Sequence, residues 1–347
     1  MKNTTTIKTI LTLATLLSFV SCGSSTASSG NAQANSTHAY ISDGTSLKIV
    51  DITSPATPLS KGSLTLGSAR FVSVIDDIAY VGEYASSDPY VSVVNTSDKT
   101  TPVLAAAIPK SSPLGLVTDM YIENSIAFTT DEYHGLHVID IPNTSFQQQA
   151  TFGSDAMSVT KLNNHMYTIE QGASAGMVKY DVSTATSPTL LTQVSDPNLI
   201  DTTSYPNATS TNSHHSWLEQ DGTNLYLANV KFRNFIKFDT TLTEVARVTT
   251  GGSVTALAIL GQYAYITMAN SSIPLTGGYD GIKMIDLNSM TVVASQALVQ
   301  ASGVAVQDDH VYVTDSTGLH IYNVSSGSLS IVTTLPAGNG NFISLGK

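Results

Sequence analysis

Charge and cysteine are both scarce in this 347-residue sequence. Only 12% of its residues are charged, about half the usual share, and it holds one cysteine, so paired-cysteine zinc sites are excluded. Glycine-rich phosphate loops, nucleophile elbows and EF-hand calcium loops are also absent. Long Ala/Leu/Glu/Lys runs are missing beyond the N-terminus, whereas Thr, Ser, Val, Ile and Tyr are plentiful. This composition predicts an all-β fold.

Basic clusters are missing as well. The net charge is −11, and Lys2 and Lys8 are the only charges in the first 21 residues, so subtracting these two cations leaves −13 for the remainder. Nucleic-acid phosphates require clustered Lys and Arg, so nucleic acid is excluded as a partner. The simplest role of the diffuse acidity is solubility.

The N-terminus has the parts of an export signal. Lys2 and Lys8 precede an apolar run over 10–17, which is too short to span a membrane, and small residues then lead to Cys22. The string 19–22 resembles a bacterial lipobox, which implies that Cys22 is lipidated and begins the mature chain. The alternative is an ordinary signal peptide with an accidental cysteine. We therefore expect a lipoprotein signal peptide over 1–21.

The next segment is rich in Ser, Ala, Gly, Asn and Thr without apolar spacing over 23–36. Such a composition is typical of flexible linkers. We expect residues 22–37, the lipidated cysteine and its tether, to hold the folded part at a membrane of the cell envelope, facing the periplasm or the cell surface. An Asp directly after the lipidated cysteine would favour retention in the inner membrane. This chain has Gly23 there, which favours the outer membrane.

A unit of four short strands recurs from residue 38 to residue 347, mostly every 40–48 residues. This period is typical of β-propeller blades. Each unit carries an aromatic residue in its second strand: Tyr40, Tyr80, Phe128, Tyr167, Tyr226, Tyr265 and Tyr312. Each third strand ends in Asp or Asn: Asp51, Asn95, Asp140, Asp181, Asp239, Asp286 and Asn323.

The third strands make a family resemblance visible. They span 47–52, 91–95, 136–141, 177–182, 235–239, 282–287 and 319–324, and the first is followed by a Thr-Ser-Pro-Ala-Thr-Pro turn. These strings resemble the LVIVD repeat of bacterial envelope β-propellers over nearly all of 38–347, best in the first and third units and weakest in the fifth. The resemblance implies the fold and the compartment but no reaction.

The two ends of the repeat array predict how the propeller closes. The first unit lacks an inner strand, and a spare apolar strand remains over 341–345. If this strand completes the first blade, the fold is a closed seven-bladed β-propeller with four-stranded blades. Six or eight blades would require one unit to be missed or counted twice.

Connection lengths predict a functional face. Turns between first and second strands are short, whereas the long connections follow the second or the fourth strand, as over 83–89, 170–175, 195–213 and 270–280. All of these emerge on one face of a propeller, which we call the loop face, and one-sided insertions typically mark a binding face. The alternative is neutral drift of surface loops.

The string 214–217, His-His-Ser-Trp, is the most distinctive in the chain. It precedes the inner strand of the fifth unit, and aligned positions predict a ring at one mouth of the central channel. The candidate binding residues of this mouth are Arg70, Asp119, Asp155, His214, His215 and Trp217; Thr118, Met157, Thr255, Ser302 and Asn341 also align there. His214 and His215 could hold a metal ion, but one blade alone supplies histidine, so we expect a polar, water-filled channel and predict no cofactor.

Other histidines follow the repeat. His137 and His320 share the position of Lys48 and Lys283, which predicts a strand surface rather than a ligand set. His134 falls in a loop and stays unassigned.

Five tyrosines outside the repeat positions fall in loop-face connections. They are candidate loop-face binding residues, with local packing as the alternative: Tyr84, Tyr90, Tyr133, Tyr205 and Tyr279.

Two functions follow from these patterns. The first is a lipid-anchored binding or scaffold module that presents its loop face to another envelope protein, a glycan or a small ligand. The second is a propeller enzyme, a metal-assisted hydrolase or oxidase, working at the mouth near His214, His215 and Asp119. A structural surface-layer role is a third option. No catalytic residue is assigned, so a non-enzymatic role is favoured.

Overall fold

The protein is an all-β ring of seven four-stranded antiparallel blades, as the sequence predicts. The computed structural model describes residues 30–31, 36–83, 89–109, 117–131, 134–141, 145–150, 154–171, 176–195, 216–229, 233–269 and 278–347. No helix long and apolar enough to cross a bilayer occurs among these residues.

The strands follow the chain from the inner to the outer edge of each blade, except in blade 1. Blade 1 comprises β29 (Phe342–Gly346), β2 (His38–Ser42), β3 (Ser46–Asp51) and β4 (Leu59–Thr65). Blade 2 comprises β5 (Ala69–Ile75), β6 (Ile78–Glu83), β7 (Val91–Asn95) and β8 (Val103–Ile108). Blade 3 comprises β9 (Val117–Glu123), β10 (Ile126–Asp131), β11 (Gly135–Asp140) and β12 (Ser145–Ala150). Blade 4 comprises β13 (Ser154–Leu162), β14 (His165–Gln171), β15 (Gly176–Asp181) and β16 (Thr189–Ser195).

The remaining blades repeat this order. Blade 5 comprises β17 (Trp217–Gln220), β18 (Leu225–Asn229), β19 (Asn234–Phe238) and β20 (Glu244–Thr249). Blade 6 comprises β21 (Ser253–Leu260), β22 (Tyr263–Ala269), β23 (Gly281–Asp286) and β24 (Thr291–Ala297). Blade 7 comprises β25 (Gly303–Gln307), β26 (His310–Thr314), β27 (Leu319–Asn323) and β28 (Ser330–Leu335).

The ring is closed by the C-terminal strand. β29 pairs antiparallel with β2, from Phe342 opposite Ser42 to Gly346 opposite His38. The prediction that the last strand completes the first blade is therefore confirmed. Because both chain ends contribute to one sheet, blade 1 joins the two termini of the repeat array.

The repeated residues have distinct structural roles. The seven repeat aromatics are buried between blades, none more than 9% exposed. In six blades, the side-chain oxygen of the strand-ending Asp or Asn accepts a hydrogen bond from the backbone N–H two residues later, at Asp51, Asn95, Asp181, Asp239, Asp286 and Asn323. This Asx turn explains why the repeat ends its third strand with these residue types.

One further strand lies at the channel side of blade 7. β1 (Gly30–Asn31) runs parallel to β25, next to Ala305 and Val306. Farther along, the amide of Gln307 pairs with the backbone of Ser36, at 3.0 and 3.1 Å. Within the segment 22–37, the described residues thus pair with the propeller, while Cys22 lies outside the described residues.

Candidate functional site

The two faces of the ring differ in their connections, as predicted. The described turns between first and second strands hold two residues in most blades, as at 76–77, 124–125 and 163–164. The second and fourth strands end at the loop face, and the longest intervals between consecutive strands begin there, from Ser195 to Trp217 and from Ala269 to Gly281. The candidate functional residues therefore lie at this end of the strands.

Three hydroxyl groups of the predicted mouth ring join neighbouring blades. Thr118 Oγ1 donates to the Ala156 carbonyl at 2.7 Å, and Thr255 Oγ1 donates to the Ala301 carbonyl at 2.6 Å. Ser302 Oγ likewise donates to the Gly340 carbonyl. All three side chains are buried. These ring positions therefore bind backbone rather than line a solvent channel.

Asp119 is also engaged by the protein. Its side chain is fully buried, and Oδ2 accepts hydrogen bonds from Ser158 Oγ at 2.7 Å and from the Val159 amide at 3.0 Å. Ser158 Oγ in turn accepts the Leu218 amide at 3.1 Å. Asp119 is thus the start of a hydrogen-bonded link from blade 3 through blade 4 to blade 5.

An aromatic contact crosses the mouth. The rings of Trp217 in blade 5 and Phe342 in blade 1 meet edge to face, with centroids 5.7 Å apart, and both are buried. Blades 1 and 5 are not neighbours in the ring, so this contact spans the channel. Phe71 and Met120 belong to the same apolar cluster. At this level the described lining is therefore apolar and aromatic, which differs from the polar lining that the sequence predicts.

The other predicted site residues are divided between core and undescribed segments. Arg70 is 3% exposed, so it lies in the interior of the ring. For Asp155 only the backbone, within β13, is described. His214 and His215 lie outside the described residues.

The loop-face tyrosines differ from one another. Tyr90 is fully buried, and its hydroxyl lies 2.9 Å from Thr129 Oγ1 of the next blade, so it is a packing residue rather than an exposed contact. Tyr279 is half-buried beneath Lys283, whose Nζ lies 4.8 Å from the ring centroid. Tyr84, Tyr133 and Tyr205 lie outside the described residues.

Sequence reasoning missed a second repeated position, three residues after each blade aromatic, where the second strand reaches the loop face. Five of the seven blades place an acid there, and the set is Asp43, Glu83, Asp131, Glu170, Asn229, Met268 and Asp315. Aligning the repeat three residues beyond the aromatic would have found it. We call this set the acid position.

In four blades the acid position is paired with a donor on the third strand, three residues before its terminal Asp or Asn. In blade 1, Lys48 Nζ lies 2.8 Å from Asp43 Oδ2. In blade 2, Ser92 Oγ donates to Glu83 Oε1 at 2.7 Å, and the Ser68 amide donates to Oε2 at 2.8 Å. These acids are neutralised or hydrogen-bonded within their own blade.

Histidine is the donor in the other two blades. In blade 7, His320 Nε2 lies 2.9 Å from Asp315 Oδ2. In blade 3, His137 Nε2 pairs with Asp131 Oδ2, and both side chains are fully buried. The prediction that His137 occupies a strand surface is therefore wrong, because its partner carboxylate lies inside the blade interface. His134 donates its backbone N–H to Asp131 Oδ1 at 2.6 Å.

These acids also close the connection that follows them. Asp43 accepts the amides of Thr45 and Ser46, and Asp315 accepts those of Thr317 and Gly318. Burial raises the pKa of both acids, but the hydrogen bonds that they accept have the larger combined effect. The hydrogen bonds to Asp43, including one from Lys48, lower its pKa to about 2. Those to Asp315 also lower its pKa.

Blade 4 departs from this rule. Glu170 is 1% exposed, but Val178 occupies the donor position. The Tyr180 hydroxyl donates to Glu170 Oε1 at 3.1 Å, and Oε2 has no hydrogen-bond partner among the described residues. Burial raises the pKa of Glu170 to about 7, against the smaller effect of the Tyr180 hydrogen bond. A carboxyl so placed is poised between its neutral and charged forms.

No group of three or more His, Cys, Asp or Glu side chains converges among the described residues. The described part of the loop face therefore offers single polar groups rather than a preformed set of ligands.

A family model of the LVIVD repeat matches residues 34–65, 251–273 and 300–331. The chain carries LVIVD repeats. The matched stretches lie in blades 1, 6 and 7, and the described residues form the seven-bladed propeller. The third unit, which the sequence predicted to resemble the repeat best together with the first, is not among them. A search of curated proteins finds no match.

Solved structures share the fold of this LVIVD-repeat propeller at low sequence identity. A protein described as a candidate 6-phosphogluconolactonase from Bacteroides uniformis has a TM-score of 0.68 and 10% identity, over 89% of this chain and 99% of its own. A functionally unknown protein from Desulfotomaculum acetoxidans has a TM-score of 0.62 and 12% identity, over 89% and 99%. Apo AztD from Citrobacter koseri has a TM-score of 0.56 and 10% identity, over 89% and 97%. These similarities establish the fold alone.

Proposed function

We propose that this LVIVD-repeat propeller is a lipid-anchored protein of the cell envelope that binds a partner through its loop face. The observation that carries the proposal is the asymmetry between the two faces. In six blades the opposite face has the same Asx-turn hydrogen bond, whereas the loop face holds the long connections and the irregular acid position of blade 4. Variation confined to one face of a repeat protein is typical of a binding surface.

The anchor is proposed from the sequence alone. Lys2, Lys8, the apolar run 10–17 and Cys22 support export and lipidation. In the producing bacterium, Cys22→Ser should abolish incorporation of labelled fatty acid and move the protein from the membrane to the soluble fraction. Retention of the label in this variant would contradict the anchor.

Site-specific photo-cross-linking tests the binding face. A photoreactive amino acid is placed at the exposed loop-face residues Thr45 and Val299, and at the exposed residues Asn164 and Thr223 of the opposite face as matched controls. We expect cross-linked adducts in intact cells from the first pair and not from the second. Equal adduct formation on both faces would overturn the proposal.

The second candidate is an enzyme at the channel mouth. The engagement of Asp119 by Ser158 and Val159, and the Trp217–Phe342 contact across the mouth, argue against it. It is tested by elemental analysis of the purified protein beside His214→Ala/His215→Ala. Near-stoichiometric metal that is lost in the double variant would favour the enzyme over the binding module.

A further inference from the structure

The acids at the same position of the other blades can be compared directly with Glu170. Cross-strand register is the same in every acidic blade: Thr168 lies opposite Val178 as Ile41 lies opposite Lys48 and Val81 opposite Ser92. Glu170 and Val178 therefore occupy the places that hold Asp43 and Lys48 in blade 1. What differs is that blade 4 supplies an acid without its donor.

Blade 2 is the closest match to blade 4 in residue type and burial. Glu83 and Glu170 are each 1% exposed, and Ser92 and Val178 are 2% and 1% exposed. Yet Glu83 accepts hydrogen bonds at both oxygens, whereas Glu170 Oε2 accepts none from the described residues. A buried carboxylate is costly unless a donor or a cation pairs with it. Among the described residues, blade 4 supplies no such partner to Glu170 Oε2, so this oxygen is free to take one from outside the blade.

We propose that Glu170 binds a primary ammonium group of the ligand, which takes the place that the Lys48 ammonium holds beside Asp43 in blade 1. The inference rests on the proposed binding function of the loop face. Asp43 shows that this position of the repeat accommodates an ammonium group at 2.8 Å from the carboxylate. A lysine side chain, a polyamine or an amino sugar carries the required group.

Ionisation of Glu170 is linked to this binding. Tyr180 is the titratable side chain that acts on Glu170 among the described residues, and its own pKa is raised by burial, so it stays neutral. An ammonium ligand pairs with the charged carboxylate, so binding lowers the pKa of Glu170 and releases a proton. Binding is therefore expected to strengthen from pH 5 to pH 8.

The test is a carbon-13 NMR titration of the glutamate side-chain carboxyls in the purified full-length chain. The Glu170 signal is assigned by its absence from Glu170→Gln. We expect n-butylammonium to lower the titration midpoint of this signal by about one unit, and equal n-butanol or potassium chloride to leave it unchanged. Acetyl-lysine amide, spermidine and glucosamine, used as separate probes, distinguish a peptide, a polyamine and a sugar as the source.

Val178→Thr is the matched variant, because it keeps the shape of valine and restores a hydroxyl as Ser92 provides in blade 2. In this variant the titration midpoint of Glu170 should be lower than in the wild type without ligand, and amines should not change it. If no amine moves the wild-type midpoint, or if amines move it equally in Val178→Thr, the proposal is overturned.

The two proposals fail separately. Cross-links confined to the loop face, with no response of Glu170 to amines, would overturn the ammonium site and leave the binding face standing. A response of Glu170 with equal cross-linking on both faces would support the ammonium site and overturn the binding face.

Discussion

Blades 2 and 4 place a glutamate at the same point of the same strand and surround it differently. Glu83 is held by Ser92 and by a backbone amide, and Glu170 is held by Tyr180 alone among the described residues. Both carboxyls are buried to the same extent. Burial therefore does not decide what a repeated acid does; the residue across the strand pair decides it.

The difference extends beyond this one pair. Blades 3, 6 and 7 join their neighbours through a buried hydroxyl at the start of the inner strand, at Thr118, Thr255 and Ser302. Blade 4 has Met157 at this position. Blade 4 thus has Met157 and Val178 at two aligned positions where other blades have polar residues, and it has Glu170 at the acid position.

The largest effect is expected at the fully buried pair of blade 3. Asp131→Ala leaves His137 buried without its acceptor, which should lower the free energy of unfolding by about 3 kcal/mol. Asp43→Ala is the control, because Lys48 is 28% exposed and also donates to the Ala337 carbonyl. Removing the Asp43 carboxylate should therefore lower the free energy of unfolding by less. Urea unfolding at pH 7 measures both. Equal losses would show that burial of the pair has no consequence.

A pH effect should distinguish blade 4 from the others. The pKa of Glu170 is raised from 4.5 to about 7 in the folded state. The folded state therefore holds an extra proton between these values, and its stability falls as the pH rises through this window, by up to about 3 kcal/mol. Unfolding of wild type and Glu170→Gln is compared from pH 4 to pH 8. In Glu170→Gln the free energy of unfolding should not show this fall with pH. Parallel curves for the two proteins would contradict the raised pKa of Glu170.

A residue swap should transfer the blade 4 pattern to blade 2. Ser92→Val removes the hydroxyl from Glu83 Oε1, so we expect a loss of about 1–2 kcal/mol at pH 8. Val178→Thr, which supplies a hydroxyl to Glu170, should stabilise the protein at the same pH. Thermal denaturation of both variants checks the signs, and changes of equal sign would break the comparison.

The smallest effect is expected on the opposite face, where the two blades agree. Asn95→Ala in blade 2 and Asp181→Ala in blade 4 each remove an Asx turn that has the same hydrogen bond, from the Ser97 amide and from the Ser183 amide. Both should lower the melting temperature slightly and equally. A larger effect in blade 4 would mean that its irregularity is not confined to the loop face.

Much of the fold could be predicted because its signals are local. The aromatic of each second strand and the Asp or Asn that ends each third strand recur in the sequence, and the spare strand at the C-terminus predicted closure. The candidate site was less accessible. Tyr90 was expected in a loop and is buried, because Thr129 and His137 of the next blade receive it. No local sequence pattern shows which side chains of neighbouring blades contact each other.

By itself the sequence determined the all-β class, the seven units and the face that carries the long connections, since each depends on strand periodicity and turn chemistry within one repeat. Only the tertiary structure decided that Trp217 meets Phe342 across the ring, that Asp119 links three blades, and that Glu170 lacks the donor its counterparts have. The first two features join residues far apart in the chain. Their energetics depend on which blades adjoin and on how completely water is excluded between them.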